Sequence, residues 1–291
     1  MTRDAKELTI GLLQMSCGAD LRANLDATLA RIDEAASRGA QVVCTQELFR
    51  SQYFCQTEDT SRFELAESIP GPTTESLGQL ARARRIVIIA SLFEHRAAGV
   101  FHNTCVVINE RGEIAGRYRK MHIPDDPGYY EKFYFTPGDL DFVAHQTFAG
   151  SLGVLVCWDQ WFPEAARLTA LSGAQILFYP TAIGWSPDMQ PATRVKILEA
   201  WRTIQRGHAI ANGVFVAAIN RTGTEGALEF WGNSFVADPF GEIVAQASAG
   251  REETLVIKCD LSKIEETRRN WPFLRDRRID AYADLTKRLR N

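Results

Sequence analysis

The chain has 291 residues, 45% of them hydrophobic and 24% charged, with 33 Lys and Arg against 36 Asp and Glu for a formal net charge of −3. This composition excludes disordered, collagen-like and disulfide-scaffold chains. The near balance of charge leaves no global basic field to draw in nucleic acid.

The opening MTRDAKELTI carries Arg3, Asp4, Lys6 and Glu7 ahead of a short apolar stretch, which predicts a cytoplasmic chain without a signal peptide. β-rich runs then recur at 8–15, 41–47, 86–94, 104–109, 153–158, 175–180, 214–220, 233–238 and 254–260. Several are apolar almost throughout, as suits strands covered on both faces. Helical patterns lie between them at 24–38, 74–84, 163–172 and roughly 192–211. The alternation predicts an α/β protein, and no Ser/Gly linker divides it, so 1–291 reads as a single domain. The longest uncharged run, Leu168–Pro187, has the length of a membrane span. Ser172, Gly173, Gln175, Pro180 and Gly184 break it into a helix end, a turn and a buried strand, so no membrane association is expected.

Two segments echo each other. Asn103–Ala115 reads NTCVVINERGEIA and Asn233–Ala245 reads NSFVADPFGEIVA. Each predicts a hairpin whose turn opens on Asn or Asp and closes on Gly. A real repeat would mean two sheets related by pseudo-symmetry. Near the end, RRNWPFLRDRR (268–278) is basic and aromatic. Trp271, Pro272 and Phe273 call for burial, so roughly 262–291 is expected to form an arm packed on a neighbouring subunit rather than a nucleic-acid site.

Six cysteines are scattered without a CxxC pair, as expected of reduced thiols, most of them small buried hydrophobes. Cys157 stands apart. GVLVCWDQWFPEAARL is an apolar strand, a sharp break, then a helix with Pro163 in its first turn. A thiol at such a break faces outward on a rigid element, beside amides that can meet an anion. It needs a base or a cation to attack well. Glu47 ends QVVCTQE, and a carboxylate at the end of a buried strand is costly without a task. Lys120 ends EIAGRYRK where the chain turns into MHIPDD. Taken singly, Cys157 could be a structural thiol, Glu47 an ion-pair partner and Lys120 a solvated lysine. Together they set an acid/base, a cation and a thiol at strand ends, where layered α/β folds bind ligands. No phosphate loop, dinucleotide fingerprint, Gly-x-Ser-x-Gly elbow or His-Glu-x-x-His metal motif is present.

The combination resembles the nitrilase superfamily of carbon–nitrogen hydrolases. The resemblance rests on TQELF around Glu47, GRYRKMHIPDD around Lys120 and LVCWDQWFPEAAR around Cys157. It continues through YYEKFYFTPGD (129–139), LFYPTAIG (177–184), RGHAIANGVFVAAINR (206–221) and WGNSFVADPFGEIV (231–244). It implies a four-layer αββα sandwich, homodimers or larger homo-oligomers, and no metal or organic cofactor. It also implies Cys157 as nucleophile, Glu47 as general base, and Lys120 with the backbone N–H of Trp158 as the oxyanion site. Glu131, in YEKFYF, matches a second active-site glutamate. Within the superfamily, MHIPDDPGYYEKFYFTPGD and CWDQWFPEAAR are most similar to the branch that hydrolyses N-carbamoylputrescine. Sibling activities on N-carbamoyl-β-alanine, N-carbamoyl amino acids or an ω-amide remain alternatives. One departure bears on this: Glu199-Ala200-Trp201 stands where that branch carries an Asp-His pair before Trp, and the 184–200 loop is atypical. For the substrate tail, chain connectivity places Asp125 and Asp126 near the pocket rim, with Tyr129 and Tyr130 in the same loop and Tyr53 and Trp185 at the same mouth. Acids with aromatic faces suit an alkylammonium, although Asp125-Asp126-Pro127-Gly128 also reads as a plain turn.

Overall fold

The structure, a computed structural model, describes residues 7–290. β1 (Glu7–Gln14) leads through α1 (Leu21–Ser37) to β2 (Val42–Cys44). Then α2 (Pro72–Arg84) leads to β3 (Val87–Ala97), β4 (Val100–Ile108) and β5 (Ile114–Arg119). After the one-turn α3 (Glu131–Tyr134) come β6 (Ala144–Thr147), β7 (Gly150–Val154), α4 (Pro163–Leu171) and β8 (Ile176–Thr181). The two-residue β9 (Gly184–Trp185), α5 (Pro191–Asn212), β10 (Phe215–Asn220), β11 (Thr222–Glu225) and β12 (Leu228–Trp231) follow. β13 (Phe235–Ala237), β14 (Ile243–Gln246), β15 (Glu253–Asp260) and α6 (Ser262–Asn270) come last.

Two six-stranded sheets result, ordered β15-β1-β2-β3-β4-β5 and β14-β13-β10-β8-β7-β6. Each has three central parallel strands, flanked by antiparallel partners. Strand alternation sorts the first sheet's side chains into two sets. Ile10, Leu12, Val42, Cys44, Val87 and Ile89 join a core that includes the second sheet. Leu13, Val43, Ile88 and Ala90 pack with Ile32 and Ala35 of α1 and Leu77 and Ala81 of α2. On the far side, the Tyr179 ring stacks against His208 of α5. The layers are therefore helix, sheet, sheet, helix: the expected αββα sandwich. A small third sheet, β11-β12-β9, lies beside them.

The internal echo is structural. In the first hairpin, the Asn109 side chain accepts from the backbone N–H groups of Arg111 and Glu113. In the second, Asp238 accepts from Phe240 and Glu242 in the same way. Gly112 and Gly241 close the two turns at φ +77° and +80°, a region that favours glycine. The likeness extends beyond the hairpins. Gln41 Oε1 accepts from the Thr9 N–H at the start of one half, and Gln175 Oε1 accepts from the Ser151 N–H at the start of the other. Gly11 of β1 and Gly153 of β7 both face the helix that covers them.

Helix boundaries fall close to those expected, and local chemistry explains the shifts. α1 starts three residues early because Asp20 caps it, accepting from the N–H groups of Arg22 and Ala23. Asn24 turns away and ties down Gly18 and the carbonyl of Arg50. The 41–47 run contributes only Val42–Cys44 to the sheet. Thr45–Glu47 leave it, ahead of Leu48 at φ +48°. The uncharged run 168–187 is divided among the end of α4, a turn, β8 and β9. Among the described residues no helix is long and apolar enough to cross a membrane. In the expected arm, Ile264 is buried, whereas Trp271, Ile279, Leu285 and Leu289 are exposed.

A Cβ added at Gly153 would meet Thr169 and Leu177 side-chain atoms at 2.6 Å, and one added at Gly11 would meet Ala35 at 3.1 Å. Gly153→Ala is therefore expected to cost about 1–3 kcal/mol through overpacking, and Gly11→Ala less. Urea unfolding of both variants checks the order, and an equal or smaller loss for Gly153→Ala would contradict this packing.

Candidate active site

Three strand ends and a loop converge between the sheets. Glu47 follows β2, Lys120 follows β5, Cys157 lies three residues beyond β7, and Glu131 opens α3. Glu47, Lys120 and Glu131 have no solvent exposure, and Cys157 has 4%. The Lys120 ammonium donates to Glu47 Oε1 at 2.8 Å and to Glu131 Oε2 at 2.6 Å. Asn103 Nδ2 donates to the same Glu47 Oε1 at 2.7 Å, and the Tyr53 hydroxyl donates to Glu131 Oε1 at 2.7 Å. Glu47 Oε2 is buried without a hydrogen-bond partner. An open carboxylate oxygen in such a place is the acceptor that a proton transfer requires.

Electrostatics follow from burial. Desolvation works against the Lys120 charge, but the carboxylates of Glu131 and Glu47 outweigh it and hold the ammonium well above its ordinary range. Burial pushes the Glu131 carboxyl up to about 7 against the pull of Lys120. The Cys157 thiol is raised by burial and then by the Glu47 charge, with Lys120 opposing. The resting group is therefore a thiol, and attack needs a base beside it.

The backbone around these groups is clamped. Cys157 sits at φ +43°, a region that costs a non-glycine residue about 1–3 kcal/mol. It begins a 3₁₀ turn, Cys157–Trp161, in which the N–H of Trp158 lies in the first turn, where amides have no carbonyl a turn back to bond. Asp159, fully buried, holds this turn. Its Oδ2 accepts from Val156 N–H and the Tyr118 hydroxyl, both at 2.8 Å, and its Oδ1 accepts from His122 N–H at 3.1 Å and pairs with the His122 ring Nδ1 at 2.7 Å. Arg221, also fully buried, holds the other side, donating from Nη2 to the carbonyls of Glu47 and Leu48 at 2.8 and 2.9 Å. The sequence reading missed Asn103, Asp159 and Arg221. The Asn opening the first echo was visible, but nothing marked it as a partner of Glu47.

Cys157 opens into a cavity of about 360 Å³ with a mainly apolar wall. Asp126, Tyr129, Trp158, Trp161, Met189 and Ile197 line it. The Tyr129 hydroxyl accepts from Gly184 N–H at 3.0 Å and donates to the Gly184 carbonyl at 3.2 Å, joining two walls. Several residues expected at the mouth lie elsewhere. Asp125 is exposed and is not part of the lining. Tyr130 is not part of the lining, and its N–H bonds the Cys55 carbonyl. Trp185 packs against Trp231, under the Arg194 guanidinium. Tyr53 is buried behind Glu131 and lines a different cleft. A tight turn accounts for the inward pair: Asp126 and Tyr129 are bridge partners across it, and both line the cavity. Among the described residues no cluster of His, Cys, Asp and Glu could hold a metal ion.

Asp159→Asn keeps the side chain's size but halves its capacity to accept. It is expected to lower stability by about 1–3 kcal/mol and to slow iodoacetamide labelling of Cys157 roughly tenfold as the turn loosens. Intact-mass labelling and urea unfolding measure both, and an unchanged labelling rate would remove Asp159 from the support of the turn that carries Cys157.

The carbon–nitrogen hydrolase family profile matches residues 9–269. N-carbamoylputrescine amidase of Arabidopsis thaliana is 43% identical, over 96% of this chain and 95% of its own length. A citrullinase of Francisella tularensis is 37% identical, over 97% of this chain and 99% of its own. The crystal structure of a carbon-nitrogen hydrolase from Helicobacter pylori superimposes with a TM-score of 0.95 at 47% identity, covering 98% of this chain and all of that one. With its sandwich, its buried lysine between two glutamates and these relatives, the chain belongs to the carbon–nitrogen hydrolase family, the amidohydrolases of the nitrilase superfamily.

Proposed function

We propose that this amidohydrolase cleaves the terminal C–N bond of an N-carbamoyl amine, R–NH–CO–NH₂, with N-carbamoylputrescine as the preferred substrate. The observation carrying the choice of tail is the cavity wall, in which, among the described residues, Asp126 is the only charged side chain and no Arg or Lys takes part. An alkylammonium tail finds a carboxylate and aromatic faces there. The carboxylate of a carbamoyl amino acid would find no cation. Arg194, near the Met189 side of the mouth, is committed to Glu229 at 2.6 Å. The relatives named for N-carbamoylputrescine and for citrulline favour the carbamoyl group as the common element.

In this reading Glu47 Oε2 takes the thiol proton as Cys157 Sγ attacks the carbamoyl carbon. The developing oxyanion meets the Lys120 ammonium and the Trp158 N–H in a site shielded from water. The tetrahedral intermediate collapses with loss of ammonia, which receives the proton from Glu47, and an S-carbamoyl thioester remains. Water, deprotonated by Glu47, then attacks that carbon and releases the thiol. The carbamate product decomposes to carbon dioxide and the free amine. Glu131 keeps Lys120 charged and in place, and Tyr53 positions Glu131.

Cys157→Ala is expected to lose at least about a thousandfold in kcat while remaining folded, because no other group can form the acyl bond. Lys120→Arg should be nearly as damaging as Lys120→Ala, since a planar guanidinium cannot replace a compact ammonium held at 2.8 and 2.6 Å from two carboxylates. Steady-state ammonia release measures both, and activity in either variant near wild type would overturn the covalent scheme or the role of the lysine.

The substrate assignment is tested by ammonia release from N-carbamoylputrescine, citrulline, N-carbamoyl-β-alanine and the neutral N-carbamoylbutylamine. Asp126→Asn is expected to raise KM for the cationic substrate about two- to fivefold, as an exposed charge pair allows, and to leave the neutral one unchanged. A wild-type preference for citrulline or N-carbamoyl-β-alanine would defeat the diamine reading.

A further inference from the structure

A second buried ion pair lies beside the lysine cluster. Arg221, between β10 and β11, and Glu225, at the end of β11, have side-chain exposures of 0% and 2%. Packing alone does not call for such a pair, since apolar side chains of similar size often fill a core as well. Its bonds converge on one segment. Beside the carbonyls of Glu47 and Leu48, reached by Nη2, Arg221 donates from Nη1 to the Ser51 carbonyl at 3.0 Å and to both oxygens of Glu225 at 2.8 Å. Glu225 Oε2 also accepts from the Tyr53 N–H at 2.6 Å. Gln56 closes the segment, donating to the carbonyls of Tyr53 at 3.2 Å and Glu225 at 2.8 Å. Residues 47–56 are thus fastened to β11. Within them Leu48, at φ +48°, holds a conformation that persists only where its surroundings enforce it.

This segment reaches both acids of the lysine cluster. Glu47 at its start accepts from the Lys120 ammonium directly. Tyr53 near its end bonds Glu131, which accepts from the same ammonium. A shift of the segment therefore moves both carboxylates. Neither Arg221 nor Glu225 lines the cavity into which Cys157 opens.

We propose that Arg221 and Glu225 are positioning residues for the hydrolysis. Acting through the backbone of 47–53 and the Tyr53 hydroxyl, they set the separation of Glu47 and Glu131 around Lys120. They thereby place the base and the ammonium relative to the Cys157 thiol. The inference rests on the roles proposed above for Glu47 and Lys120. A guanidinium fork spans carbonyls that a single ammonium cannot reach together, and a displacement of about 1 Å at a reacting group costs on the order of a hundredfold in rate.

Glu225→Gln keeps the side chain's shape and removes its charge, whereas Arg221→Lys keeps the charge and removes the fork. Each is expected to lower kcat about ten- to a hundredfold with KM within about twofold of wild type. Ammonia release from the carbamoyl substrate that the wild type turns over fastest measures this split. Iodoacetamide labelling of Cys157, which needs no substrate, is expected to slow about tenfold in both. A pair that served stability alone would lower the urea midpoint and leave kcat and the labelling rate of the folded protein unchanged. That result in either variant overturns the proposal, and so does a rise in KM at constant kcat. Where loss of one partner leaves the other charge buried and the chain unfolded, Arg221→Met combined with Glu225→Leu removes both charges. This double variant is expected to fold and to show the same losses, and wild-type labelling in it, or its failure to fold as well, overturns the proposal. Glu47→Gln separates the two readings. Wild-type labelling in that variant defeats Glu47 as the base, whereas slow labelling there with wild-type labelling in Glu225→Gln defeats the positioning role alone.

Discussion

One ammonium group held between two carboxylates, all three without solvent exposure, is the constraint on which the centre of this molecule depends. Taking each ion out of water costs several kcal/mol, and only close, well-bonded opposite charges repay it. Lys120 cannot be removed without leaving two buried acids facing each other, and neither acid can go without leaving the ammonium short of a partner. The surrounding polar groups serve this arrangement. Asn103 and Tyr53 each give a further bond to one carboxylate, and the Lys120 N–H bonds the Asn103 carbonyl at 2.9 Å. The oxygen left open, Glu47 Oε2, is thereby the one acceptor of the cluster not already engaged.

The fold brings these charges together by using one design twice. Each half supplies parallel strands, covering helices and a hairpin with the same turn bonds. Chemistry has settled unequally on the repeat. The first half contributes Glu47 and Lys120, and the second contributes Cys157. Glu47 N–H reaches the carbonyl of Thr181, at the end of β8, so the site lies where the two sheets meet. Arg221, from the second half, grips the carbonyls of Glu47 and Leu48 in the first. The charged cluster is thus bonded within 47–131, and packing between the halves brings Cys157 up to it.

Much of this could be read along the chain. Apolar runs and amphipathic segments marked most of the strands and four of the helices to within a few residues, because burial is a local signal, whereas short strands such as β6, β9, β11 and β12 left no such run. The echo at Asn109 and Asp238 was legible because a turn closed by an Asx side chain and a glycine leaves a short, fixed pattern. Glu47, Lys120 and Cys157 could be picked out as chemistry at strand ends. What stayed hidden depends on distant pairs. Asp159 bonds His122 across 37 positions and Arg221 bonds Glu47 across 174, and no periodicity reports such contacts. The cavity wall was half legible: connectivity brought the loop 121–130 to the mouth, but only backbone direction decides that Asp126 and Tyr129 face inward while Asp125 and Tyr130 do not.

The Tyr129 hydroxyl, bonded to both the N–H and the carbonyl of Gly184, has a consequence for how a substrate is measured. It fixes the distance between the loop that carries Asp126 and the strand behind Ala182, and β12 pairing holds Gly184 in turn. A Cβ at Gly184 would strike the Glu229 carbonyl at 2.5 Å, so this joint has no slack. The span from the thiol to the rim is therefore set before anything binds. On the function proposed above, such a cavity would act as a gauge of rigid length, sorting chains by the number of methylenes between two end groups.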